Sequence, residues 1–259
     1  MLKRLFALFT VVAIVISLFV AGPPVFASES KGNVIYQKEE ITDLDDLLKR
    51  AKNNITDVSS EDLPDFAKQT GVFKGEKGSI ELETFETTQL LSKEILPQGE
   101  IKQSFVTTVF SDIKQEQLAT TSGENQFIAL PSADKGGDEW DDSIGVRAHS
   151  RIYYSTSTYQ GVPHVDLTRV SGGWEHADSS LTLSNRRLNY GAEGPSKYGY
   201  AGSGQSTSRN LTSNSYNYYT PAAWLPISTV AGYYQFGMNS WVTIKRNSSS
   251  WTHHFQNQL

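Results

Sequence analysis

The sequence predicts a mainly β protein: an antiparallel β-sandwich or barrel over residues 145–259, preceded by a small acidic α+β or partly ordered region. Three observations lead there. Short apolar–polar alternations recur after residue 144, broken by glycine-containing turn signals. Eleven of the twelve tyrosines and four of the five tryptophans also lie after residue 144, and such side chains suit a pleated, half-buried surface. Helical spacing of apolar residues, by contrast, is confined to the first half.

At the N-terminus, Lys3 and Arg4 precede an uncharged apolar run from Leu5 to Val20, and Gly22, Pro23 and Pro24 end it. Val25 and Ala27 then occupy the small-residue positions that a signal peptidase needs, so residues 1–27 read as a cleaved signal peptide and the chain as secreted. No later stretch is apolar enough to span a bilayer, so no membrane span is expected after cleavage. Cysteine is absent. No disulfide supports the fold, thiol catalysis is excluded, and an exported chain of this kind fits a Gram-positive bacterial source.

Charge divides the remainder. Residues 28–144 carry 24 Asp and Glu against 12 Lys and Arg, whereas residues 145–259 carry 4 against 9, within an overall net charge of −5. This asymmetry suggests regions with different jobs that attract one another, so docking of the acidic half on the basic half is an expected contact.

Taken in order, Ile41, Leu44, Leu47, Leu48 and Ala51 recur at helical spacing behind acidic residues, which predicts a helix over 41–52. Ser60-Glu61-Asp62-Leu63 marks the start of a second short helix that ends by Gly71. Strands follow over 80–91 and 101–110, with a turn at Leu96-Pro97-Gln98-Gly99. The stretch 114–144, rich in Ser, Gly and Asp, has linker composition and is taken as the boundary between regions 28–113 and 145–259. Val146, Ala148, Ser150, Ile152 and Tyr154 then alternate with Arg147, His149, Arg151 and Tyr153, a half-buried strand. Further strands are expected over 162–170, 179–185, 188–190, 207–219, 227–236, 241–246 and 251–255. Their expected separators include Ser171-Gly172-Gly173, Gly191, Gly202-Ser203-Gly204 and Gly237.

The chemistry on offer is narrow. No serine lies in a Gly-x-Ser-x-Gly elbow, and none of the five histidines has metalloprotease spacing. Glu175-His176-Ala177-Asp178 is the densest titratable run, and a strand would set His176 beside Asp178 as an oriented general base. Asp134, Asp138, Glu139, Asp141 and Asp142 supply hard oxygen ligands suited to calcium, although their spacing fits no calcium loop, and no other cofactor is expected.

Binding residues stand out more. Trp174, Trp241 and Trp251 are assigned to the core, and Tyr198 and Tyr200, in a glycine-rich loop, are the tyrosines expected to meet a ligand. Arg147 and Arg151 share a strand face with His149, a surface for an anionic wall polymer or for the acidic first half. Nucleic acid is not an expected partner of an exported protein. The expectation is therefore a secreted, non-catalytic protein whose β-sandwich binds a cell-surface, wall or matrix partner. A membrane-active toxin or antimicrobial, and a hydrolase using His176 with Asp178 or Glu175, are the alternatives.

Overall fold

The structure, a computed structural model, describes residues 32–58, 68–75, 78–118, 144–196, 199–200, 203–230 and 235–259. The signal-peptide reading, the second helix near Ser60, most of the 114–144 stretch with its five acidic calcium candidates, and Tyr198 lie outside the described residues.

In chain order the elements are β1 (Asn33–Gln37), α1 (Leu44–Lys52), β2 (Lys68–Gly75), β3 (Gly78–Leu82), β4 (Thr84–Ile95), β5 (Ile101–Lys114), β6 (Ile144–Tyr159) and β7 (Val162–Glu175). There follow β8 (Leu181–Glu193), β9 (Pro195–Ser196), β10 (Gly199–Tyr200), β11 (Ser206–Asn210), β12 (Ser215–Tyr219), β13 (Ile227–Ser228), β14 (Gln235–Arg246) and β15 (Ser249–Gln258). The fold is mainly β, with two antiparallel sheets packed as a sandwich. The first sheet runs β1-β4-β5-β6-β7-β13-β9-β10, with β12 also along β7, and the second runs β11-β8-β14-β15-β2-β3.

The core lies between the sheets. Phe105, Val109, Ile113, Val146, Ile152, Tyr154 and Val170 of the first sheet meet Phe73, Leu183, Leu188, Phe236, Met238, Val242, Ile244, Trp251 and Phe255 of the second. Polar side chains also cross it, as where Asn257 Nδ2 of β15 donates to Ser150 Oγ of β6 at 3.0 Å.

Strands from both charge halves enter both sheets. β5 pairs with β6 from Gln103↔Thr156 to Lys114↔Ile144, and β2 pairs with β15, so residues 32–259 form one compact unit. The change of composition near 114–144 thus falls between two strands that lie side by side.

Helix α1 forms as its spacing predicts, but from Leu44, because the Asp43 carboxylate accepts from the Asp45 and Asp46 amides at 3.0 Å and caps it. Its Leu47, Leu48 and Ala51 pack on Phe110 against the outer face of the first sheet.

Other boundaries differ from expectation for tertiary reasons. The single strand expected over 80–91 breaks at Glu83, where the chain leaves the second sheet for the first; 207–219 likewise divides into β11 and β12. Gly172 and Gly173 are not a separator but lie inside β7. A Cβ on Gly172 would stand 2.4 Å from both the His149 carbonyl oxygen and the Tyr216 hydroxyl, so the close crossing of β12 demands glycine there.

Candidate binding face

The outer faces of the two sheets differ. On the first sheet, the alternation of β6 turns Arg147, His149, Arg151 and Tyr153 away from the core, and residues 38–52 roof part of that face. Arg147, 3% exposed, donates from Nε and Nη2 to Asp112 at 2.8 and 3.2 Å. Arg151, 7% exposed, pairs with Glu40 at 2.8 Å and donates to the Ile41 carbonyl at 2.9 Å, while the Tyr153 hydroxyl donates to Glu40 at 2.7 Å. The two arginines proposed for ligand contact are therefore internal, and both carboxylates that hold them come from the acidic half. His149 is buried between them, and burial first, then the two guanidinium charges, push its pKa down to about 4.

The expected acid–base pair is not assembled. Residues 176–178 follow β7 rather than extending it, and the His176 Nδ1–H donates to the Asp178 backbone carbonyl at 3.0 Å instead of the carboxylate. That carboxylate accepts from the Ser180 amide at 2.8 Å and pairs with Arg246. Hydrogen bonds from Ser180, then Arg246, lower its pKa to about 2. Burial raises the Glu175 carboxyl, an effect opposed by Arg147. Among the described residues, no three of His, Asp and Glu converge as a metal-holding group. Tyr200 lies in β10, opposite Pro195 of β9.

Among the described residues, the side chains on the second sheet's outer face are exposed or half-buried, apart from the buried Asn239. Register aligns its side chains in rows across the strands. The central row reads Asn210, Arg187, Trp241, His254, Val72 and Glu81; the next reads Ser208, Asn189, Asn239, Gln256 and Thr70; on the other side stand Ser184, Thr243, Thr252, Lys74 and Ser79. An ordinary solvent face carries many long charged side chains, whereas ten of these sixteen are neutral amides or hydroxyls and only Arg187, Glu81 and Lys74 are long and charged.

At the centre three side chains from adjacent strands stand in contact. The Trp241 and His254 rings are stacked 4.7 Å apart at 5°, and the Arg187 guanidinium lies 4.3 Å from the Trp241 centroid. Both distances match the roughly 4.8 Å spacing between strands, so the pleat itself builds the stack. His254 Nε2–H donates to Asn239 Oδ1 at 3.1 Å, which leaves Nδ1 as an acceptor. Partial burial, then the Arg187 charge, lowers the His254 pKa and favours that neutral ring. Thr70 donates to Gln256 at 2.7 Å and Asn185 to Thr243 at 3.3 Å, so neighbouring groups are held in place before any ligand arrives.

Trp174 and Trp251 are core residues as expected, but Trp241 is not. The signal was present in the sequence, since period-two alternation puts Trp241 in phase with Asn239, Thr243 and Lys245 and out of phase with Met238, Val242 and Ile244. Arg187 was less legible because a bulge between Ser184 and Arg187 shifts its face. No family model, curated protein or solved structure matches the chain, so the face stands on its own geometry.

Proposed function

We propose that this chain is an extracellular, non-catalytic binding protein that holds a cell-surface, wall or matrix polymer on the open face of its second sheet. The observation that carries the reading is the Arg187–Trp241–His254 stack within rows of short amide and hydroxyl side chains. A flat face of fixed hydrogen-bonding groups suits an extended polyhydroxyl chain. Arg187 and Trp241 form an ordered centre for it.

The test is co-sedimentation of residues 28–259 with insoluble peptidoglycan and whole cells. Retention that falls at least tenfold in Trp241→Ala with Asn239→Ala, with unchanged circular dichroism, is expected. Absence of retention, or retention indifferent to both substitutions, would remove the reading.

The membrane-active alternative is favoured by a different observation. Val34, Ile35, Tyr36, Ile95 and Ile101 are exposed on β1 and at the adjoining ends of β4 and β5, with Val34, Ile35 and Ile101 each at least half exposed. Release of dye from liposomes by the wild-type chain, lost in Ile35→Ser with Ile101→Ser, would establish that reading instead.

A further inference from the structure

We propose that the polymer is an N-acetylated glycan, read through its acetamido groups by Asn239, Trp241, His254 and Gln256; this rests on the binding reading above. The four residues belong to two paired strands, where Asn239 opposes Gln256 and Trp241 opposes His254, so they form a two-by-two patch on the outer face. Because β14 lies between β8 and β15, Arg187 and His254 bracket the Trp241 ring from opposite sides. With both ring faces taken, the patch engages a ligand through hydrogen-bonding groups rather than by stacking a sugar on the indole.

Hydrogen bonds within the face decide which groups those are. Asn239 Oδ1 accepts from His254 at 3.1 Å, and Gln256 Oε1 accepts from Thr70 at 2.7 Å. Each amide thus has its oxygen engaged and its NH2 group left to donate. Among the described residues, neither amide nitrogen is bonded, nor is Trp241 Nε1, and none of the three is a buried atom without a partner, so all keep a path to solvent. His254, donating from Nε2, keeps Nδ1 as an acceptor. The patch therefore sets three N–H donors around one nitrogen acceptor.

A plain hydroxyl polymer does not require that set, because each hydroxyl both donates and accepts. An acetamido group matches it, since its carbonyl only accepts and its N–H only donates. The carbonyl takes the free amide or indole N–H, and the acetamido N–H meets His254 Nδ1. Charge agrees, because the three rows hold two cations, Arg187 and Lys74, against the carboxylate of Glu81, a balance suited to a neutral chain.

The experiment is co-sedimentation of residues 28–259 with peptidoglycan, chitin, cellulose and chitosan at roughly 50 and 300 mM salt, a range that screens ionic contacts. Chitin carries acetamido groups where cellulose carries hydroxyls and chitosan carries ammonium groups. Retention on peptidoglycan and chitin, independent of salt and about tenfold or more weaker on cellulose and chitosan, is expected. Gln256→Glu and Asn239→Asp keep the oxygens that Thr70 and His254 bond but replace the NH2 donors. Each should weaken chitin retention about tenfold or more with unchanged circular dichroism. Peptidoglycan bound without chitin, equal retention on cellulose, loss of retention at high salt, or chitin retention unchanged in the double variant overturns the acetamido assignment and leaves the binding reading standing. Failure to bind peptidoglycan, cells or any of the three polysaccharides overturns both.

Discussion

At the scale of single residues, two buried histidines make stability depend on pH. His253 is fully buried in β15 with neither ring nitrogen hydrogen-bonded among the described residues, and burial, with a smaller contribution from His254, pushes its pKa down to about 3. His149 lies at about 4. In both cases the folded value is below the unfolded one near 6.5, so stability is complete above that pH and is lost as pH falls from there toward the folded values. Between pH 6.5 and 5 each histidine removes about 2 kcal/mol. Denaturant unfolding at pH 7 and pH 5 checks this: His253→Phe should lose about 2 kcal/mol less than wild type on acidification, and an equal loss would show that His253 titrates normally. Gly172→Ala places a methyl group against backbone and the Tyr216 hydroxyl at 2.4 Å, and should cost about 2 kcal/mol or more in the same assay.

At the scale of elements, α1 and the buried Asp112–Arg147 ion pair both lie on the first sheet's outer face. Asp43→Ala removes the cap of α1 and should cost about 1 kcal/mol, seen as faster amide hydrogen exchange over residues 44–52. Asp112→Ala leaves the Arg147 guanidinium buried without its carboxylate and should cost about 3 kcal/mol or more. Adding Arg147→Met to that variant should recover much of the loss, because an apolar side chain needs no counter-charge there. A double variant no better than Asp112→Ala would mean that Asp112 acts through contacts other than this pair.

These elements also show how far local pattern reaches. The period-two alternation of 146–154 identified β6 and separated its two faces correctly. It did not reveal that Arg147 and Arg151 are covered, because the covering residues, Glu40, Ile41 and Asp112, lie at least 35 positions earlier in the chain. Alternation tells which side chains share a face and is silent about what lies over it. The same limit explains Trp241, whose phase was legible while its large apolar ring argued for the core.

At the scale of the whole molecule, the two charge halves fold as one. β5 and β6 are central neighbours in the first sheet, and β15 completes its pairing with β2 in the second. Residues 145–259 expressed alone would present β6 and β15 as bare edges and lose the first-half contribution to the core. That fragment should therefore lack a cooperative thermal transition and self-associate, whereas residues 32–259 should melt cooperatively. A folded, monomeric 145–259 fragment would show instead that the second half forms its core unaided.

By itself, the sequence determined that this chain is mainly β, that its strands are antiparallel and joined by short turns, that a helix forms within residues 41–52, and that cysteine chemistry is absent. Those properties follow from residue types and from periods of 2 and 3.6, which act over a few neighbours. Only the tertiary structure decided which sheet each strand joins, that the acidic half shares both sheets with the basic half, and which basic face is covered and which is open. Arg147 and Arg187 both lie on outward faces of strands, yet one is enclosed with Asp112 and the other stands against Trp241 in the open. That difference depends on long-range pairing and burial, which no local spacing encodes.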